Sequence, residues 1–144
     1  MKRWKWIAIA SLVAFVVLAS WNVYDRASLP KDPGYNDLIT FLKTDHSEVN
    51  SQSGYVSHAD FTARFLGNAS KQKIKGYPVV VALEYRLLVF ASFKTEKGWV
   101  YIFPANDREI KLEKGKSFRG LNPKDDSFGA GNDTILEILI LGNY

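Results

Sequence analysis

The chain of 144 residues contains no cysteine. That absence removes disulfide stapling, thiol catalysis and lipid attachment at a cysteine together, so any domain present must be held by a buried apolar core. Histidine is nearly as scarce. His46 and His58 are the only two, and histidine is the side chain whose ordinary pKa suits proton transfer near neutral pH. His46-Ser47-Glu48 places three reactive types together, but neighbours in sequence seldom converge into a catalytic geometry. The surrounding stretch, "DHSEVNSQSGY" (residues 45–55), has no periodicity and reads as a surface loop. His58 stands two positions before Asp60, whereas two ligands on one helix face need a spacing of three or four, so a metal pair there is badly aimed. "GAGND" lacks the glycine spacing and the following Lys-Ser/Thr of a phosphate-binding loop. No internal repeat is apparent. These scarcities point away from catalysis and call for no cofactor and no metal.

What the chain does have is an apolar beginning, "MKRWKWIAIASLVAFVVLASWNVYDRA". Lys2, Arg3 and Lys5 lead into a run from Trp6 to Trp21, the pattern of an export segment, and the basic residues ahead of it place the long remainder outside the cytoplasm. The strict apolar core, Ile7 to Ala19, is short for a membrane span, and Val17-Leu18-Ala19 would suit a signal peptidase cutting before Ser20. Release would make the protein a secreted one. A helix from Trp4 to Tyr24, however, is about 30 Å long, which matches a bilayer core. Its aromatic ends, Trp4 and Trp6 on one side and Trp21 and Tyr24 on the other, are those of an interfacial anchor. The reading adopted is a single-pass anchor over residues 1–24, touching lipid through 4–24, followed by a neck at 25–31 and one exported domain at 32–144.

The formal charge of +4 overstates that domain. Three of the basic residues precede the apolar run, which leaves the rest near neutral and offers no electrostatic footprint for nucleic acid. About 120 residues remain beyond the run, enough for one domain with its own core.

Asp32-Pro33 reads as a helix start, with Tyr35, Leu38, Ile39 and Leu42 recurring at helical spacing. A second helix is announced by Ser57 as cap, Asp60 as its capping-box partner, and Val56 and Phe61 as a staple. Phe61, Phe65 and Ala69 follow on one face, and the helix either ends near Gly67-Asn68 or runs to Lys75 and stops at Gly76. From Tyr77 the period changes. "YPVVVALEYRLLVFASF" is β-branched and aromatic, and predicts one bulged strand or two strands broken near Glu84 to Arg86. "KTEKG" turns into "WVYIF", where Trp99, Tyr101 and Phe103 share a face. "PAND" turns again into a short strand "EIKLE", and "TILEILILG" supplies a last strand, apolar on both faces except at Glu137, which suggests a central strand covered by the helices or by another subunit. Helices first and strands afterwards predict an α+β fold: an N-terminal membrane helix, then two short helices packed on an antiparallel sheet of about four to five strands.

The connection from Gly115 to Thr134, "GKSFRGLNPKDDSFGAGNDT", is longer than most and is the candidate recognition loop. Phe118 and Phe128 offer apolar anchors, Arg119 and Lys124 cationic contacts, and Asp125 and Asp126 opposite charge; with Trp99 on the nearby sheet these form the expected partner-binding set. A competing reading makes Phe118 and Phe128 a lid over the sheet. Asp125, Asp126, Asn132 and Asp133 carry oxygen ligands, but not in the order of a calcium-binding loop. Glu84 and Glu137 would form a hydrolytic carboxylate pair only if adjacent strands aimed them at one pocket. Lys71, Lys73 and Lys75 close the second helix, where positive charge suits the helix dipole. Asn68-Ala69-Ser70 and Asn132-Asp133-Thr134 match the glycosylation triplet.

The expected function is a membrane-tethered, extracytoplasmic interaction or assembly accessory domain of the cell envelope, non-enzymatic, whose partner is another envelope protein or a second copy of itself. The alternatives are a secreted small inhibitor or immunity-type protein and a small envelope hydrolase using paired carboxylates.

Overall fold

The computed structural model describes residues 29–45, 58–124 and 133–142. The apolar run, His46, Asp125, Asp126 and Phe128 lie outside these residues, and among the described residues no helix is long and apolar enough to cross a membrane. In chain order the elements are α1 (Tyr35–Thr44), α2 (His58–Lys71), β1 (Tyr77–Leu83), β2 (Leu87–Thr95), β3 (Gly98–Phe103), β4 (Arg108–Ile110), α3 (Phe118–Leu121) and β5 (Ile135–Ile140). All strand pairs are antiparallel, in the order β4-β3-β2-β1-β5. The predicted α+β plan therefore holds for the domain, with a third, short helix inside the late loop.

Helix α1 starts two residues later than Asp32-Pro33 suggests, with Gly34 as its N-cap. The free N–H groups of its first turn find carboxylates instead of a capping side chain at Asp32. Gly34 N–H donates to Asp37 at 3.3 Å, and Tyr35 N–H donates to Glu96 at 2.8 Å. Glu96 sits in the β2–β3 turn, so this cap is supplied across the fold and complements the helix dipole. Hydrogen bonds from its own backbone N–H and from that of Tyr35 hold the Glu96 carboxyl below its ordinary pKa. Lys97, next in the turn, lies 3.7 Å from the centre of the Tyr35 ring. The side chains α1 buries most fully are Leu38 and Phe41.

Helix α2 passes through Gly67 and Asn68 and stops at Lys71, short of Lys75. The stop is a paired-bond C-cap: Lys73 N–H donates to Ser70 C=O and Ile74 N–H to Ala69 C=O, each at 3.0 Å. Lys73 takes the left-handed conformation that this motif usually gives to glycine, with φ 63°. The chain before α1 is stitched to this turn, because Lys31 N–H donates to Lys73 C=O and its own C=O accepts from Lys75 N–H. Gly76 follows where the backbone runs close under α2, since a Cβ there would lie 2.6 Å from both Leu66 Cδ2 and Phe93 Cε1.

The long β-branched run is two strands turned at Glu84 to Arg86, the second of the two forms anticipated. Side chains alternate between the sheet's faces. On one face Ala91, Phe93, Val100 and Ile102 pack with Leu38, Phe41, Phe65 and Ala69 of the helices. Thr62 Oγ1 of α2 also donates to Val89 C=O at 3.1 Å. On the other face Val79, Val81, Leu88, Phe90 and Phe103 pack with Ile110, Phe118 and Ile135. Trp99, Tyr101 and Phe103 belong to this second face, opposite to the one that α1 and α2 cover. The fourth strand is shorter than "EIKLE", ending at Ile110.

Candidate interaction surface

The second face is covered by the segment that follows β4. Asn122 ties one end of it beside Lys111: its side-chain carbonyl accepts from Lys111 N–H at 2.7 Å and its amide donates to Lys111 C=O at 2.8 Å. In effect one buried side chain imitates a neighbouring strand. The other tie is at β5, where Gly115 N–H donates to Ile135 C=O at 2.7 Å, Ile135 N–H to Lys116 C=O at 2.9 Å and Phe118 N–H to Asp133 C=O at 2.9 Å. Between the ties lies α3, capped by Ser117 Oγ, which accepts from Gly120 N–H at 3.0 Å. The Asp133 carboxylate accepts from Arg119 N–H at 2.6 Å and from the Ser117 hydroxyl. Those bonds, the Arg119 N–H first, hold its carboxyl below the ordinary aspartate range.

This strap decides where the expected recognition residues go. Phe118 is only 1% exposed and stacks on Phe90 with ring centres 5.7 Å apart and planes 7° apart. Its ring is therefore core, as the lid reading requires, and is no surface anchor. Arg119 and Lys124, which follow it in the chain, are exposed. Trp99 is half-buried and packs edge-on against Tyr77 at 5.5 Å, so it and Phe118 sit in different ring clusters. Asp125, Asp126 and Phe128 fall outside the described residues. Among the described residues no group of acidic, histidine or cysteine side chains is arranged to hold a metal.

An open groove of about 630 Å³ runs between β4 and the α3 end of the strap, lined by Arg108, Ile110, Lys111, Leu121, Asn122 and Lys124 among others. Arg108 spans it, donating from Nη1 to Lys124 C=O at 3.0 Å. Neither Glu84 nor Glu137 lines it. Glu84 lies in the β1–β2 turn rather than on a strand, and Glu137 pairs with Lys114. The Lys114 ammonium, chiefly through its hydrogen bond, lowers the Glu137 pKa.

The sheet edge at β5 is different in kind. The sequence suggests a central strand there, yet among the described residues β5 is the last strand on its side of the sheet. Apolar residues on both its faces do not reflect cover on both sides. Leu139 is 55% exposed and Leu136 48%, with Leu141 and, across β1, Leu87 also exposed. Leu136 is extruded because the pairing slips by one residue between Ala82↔Glu137 and Leu83↔Ile135. The hydrogen-bond phase follows from Leu141 N–H, which donates to Pro78 C=O at 2.9 Å. With Val79 opposite Ile140, the polar backbone of Glu137 and Leu139 turns toward β1 and that of Ile138 and Ile140 turns outward. Among the described residues the Ile138 N–H meets only its neighbour's carboxylate, Glu137 Oε1 at 3.4 Å. At Ile135 the edge is closed by Gly115 and Lys116, so among the described residues the open stretch is residues 137–140. The signal for this in the sequence was Glu137 itself, a charge inside an apolar strand being a common guard of an open edge.

No family model, curated protein sequence or solved structure matches this chain.

Proposed function

We infer that the protein is a non-enzymatic interaction domain, held at the outer side of a membrane by its N-terminal apolar run and binding a protein partner through the β5 edge. One observation carries this reading: a strand edge that is open among the described residues and bordered by four exposed leucines, Leu87, Leu136, Leu139 and Leu141. Apolar side chains beside unpaired backbone groups are what strand addition uses, the backbone providing affinity and the alternating side chains selectivity. The tether rests on Lys2, Arg3 and Lys5 ahead of Trp6 to Trp21. It would confine the domain to a surface and so favour encounters with other envelope proteins. The late loop, once relieved of Phe118, contributes Arg119 and Lys124 to a neighbouring polar surface.

The test is a photo-crosslinking residue placed at Leu139 in the membrane-bound full chain, with Lys94 as the control position. Reproducible crosslinking from Leu139 and none from Lys94 is the expected result. Equal labelling at both positions, or none at either, would remove the β5 edge as an interaction surface. Recovery of an intact Met1 end rather than a new end at Ser20 would separately support the tether.

A further inference from the structure

We propose that the occupant of the β5 edge is a second copy of β5, joined antiparallel about a twofold axis at Leu139 so that two sheets become one. This rests on the reading of β5 as the interaction surface and names its partner. Three features select it. The outward backbone groups belong to Ile138 and Ile140 (the phase set by the Leu141–Pro78 bond), and a twofold at Leu139 sets Ile138 opposite Ile140 in both directions. All four N–H and C=O groups on each copy are then paired, and both open edges vanish at once.

The second feature is the strap. Gly115 and Lys116 already hold Ile135, and a register moved one residue toward the start of β5 would bring Leu141 of the second copy against that occupied position. A register moved the other way sets Ile138 opposite Gly142, whose φ of 79° is not that of a strand. The third is charge. Glu137, the only charged residue of β5, lies opposite Leu141 of the second copy and never opposite another Glu137, while Lys114 of its own chain remains its counter-ion. Like charges facing each other across a strand pair would be unfavourable.

The joint is short, and interfaces below about 1,200 Å² are usually weak and transient. Dimers are therefore expected at ~100 µM and largely monomers at ~1 µM in detergent solution, a range typical of weak association.

Because the chain has no cysteine, a single introduced one reports the axis directly. At a twofold non-hydrogen-bonded pair the Cα atoms approach to about 4.5 Å, within the reach of a disulfide. Mild oxidation of full-length Leu139→Cys should therefore give a covalent dimer much faster than Leu136→Cys, Leu141→Cys or Lys94→Cys. Leu139→Lys should weaken dimerisation at least ~10-fold by facing two charges, and mixing it with Leu139→Glu should restore a mixed dimer, which shows that the variants fold. A disulfide maximum at another position, a monomer at every concentration, or failure of the mixed pair overturns the proposal. Crosslinks from Leu139 that reach only a different protein overturn the dimer while leaving the interaction surface standing.

Discussion

Replacing Phe118 by alanine should cost the domain a large part of its stability. The ring is buried, lies parallel to Phe90 and shares a cluster with Val79, Val81, Phe103 and Ile135. Removing a fully buried phenylalanine typically costs about 3–5 kcal/mol, of which the stacked pair contributes roughly 0.5–1.5 kcal/mol. The upper half of that range applies, because the strap is tied at Asn122 and at β5 and cannot collapse far into the space left. A domain of this size has about 5–15 kcal/mol in all, so the variant should unfold at much lower denaturant, or roughly 15 °C or more earlier on heating. Arg119→Ala, at the exposed neighbour, should change stability by no more than about 0.5 kcal/mol. Urea titrations of both variants, followed by tryptophan fluorescence, decide the matter. A loss below about 1 kcal/mol for Phe118→Ala would mean the ring does not fill the core, and the lid reading of α3 would fall.

Asn122→Ala removes three hydrogen bonds to Lys111 and Phe118 and should cost about 2–4 kcal/mol in chemical denaturation. Gly76→Ala forces a methyl group against Leu66 and Phe93 and should cost about 1–3 kcal/mol by the same measurement. Asp133→Asn tests pH linkage. The depressed folded pKa of Asp133 means that its stabilisation is complete above the unfolded value, about 3.9, and is lost as pH falls through the folded value. The variant should be less stable than the parent at pH 7, and the difference should shrink steadily as pH falls below about 3.9, as read from paired denaturation curves.

The sheet was legible in the residues because β-branched and aromatic runs alternate between turn signals at Lys94 to Gly98 and at Pro104 to Asp107. Helix α2 was legible through Phe65 and Ala69, and its end was missed because a lysine, not a glycine, occupies the left-handed position. The start of α1 was missed for a nonlocal reason: its cap is Glu96, and no inspection of residues 30–36 can reveal a carboxylate from a distant turn. In the late loop, Ser117 before Phe-Arg-Gly-Leu and Asn122-Pro123 after it are helix start and stop signals, yet composition alone made Phe118 look like a recognition anchor. Burial depends on where Asn122 and Ile135 pin the strap, which is tertiary information. β5 was misplaced for a related reason, since two-sided apolarity is shared by covered central strands and by edges awaiting a partner.

The bridge at Lys31 also sets how the domain answers to tension. A pull applied ahead of residue 31 meets two backbone bonds, to Lys73 and from Lys75, before it reaches either α1 or any strand. The load passes into the hinge between α2 and β1, beside the centre of the sheet, and Tyr77, whose hydroxyl donates to Asp32 at 3.4 Å, lies in its path. Under such a load the first element to yield is a two-bond latch that can re-form without any part of the core having opened.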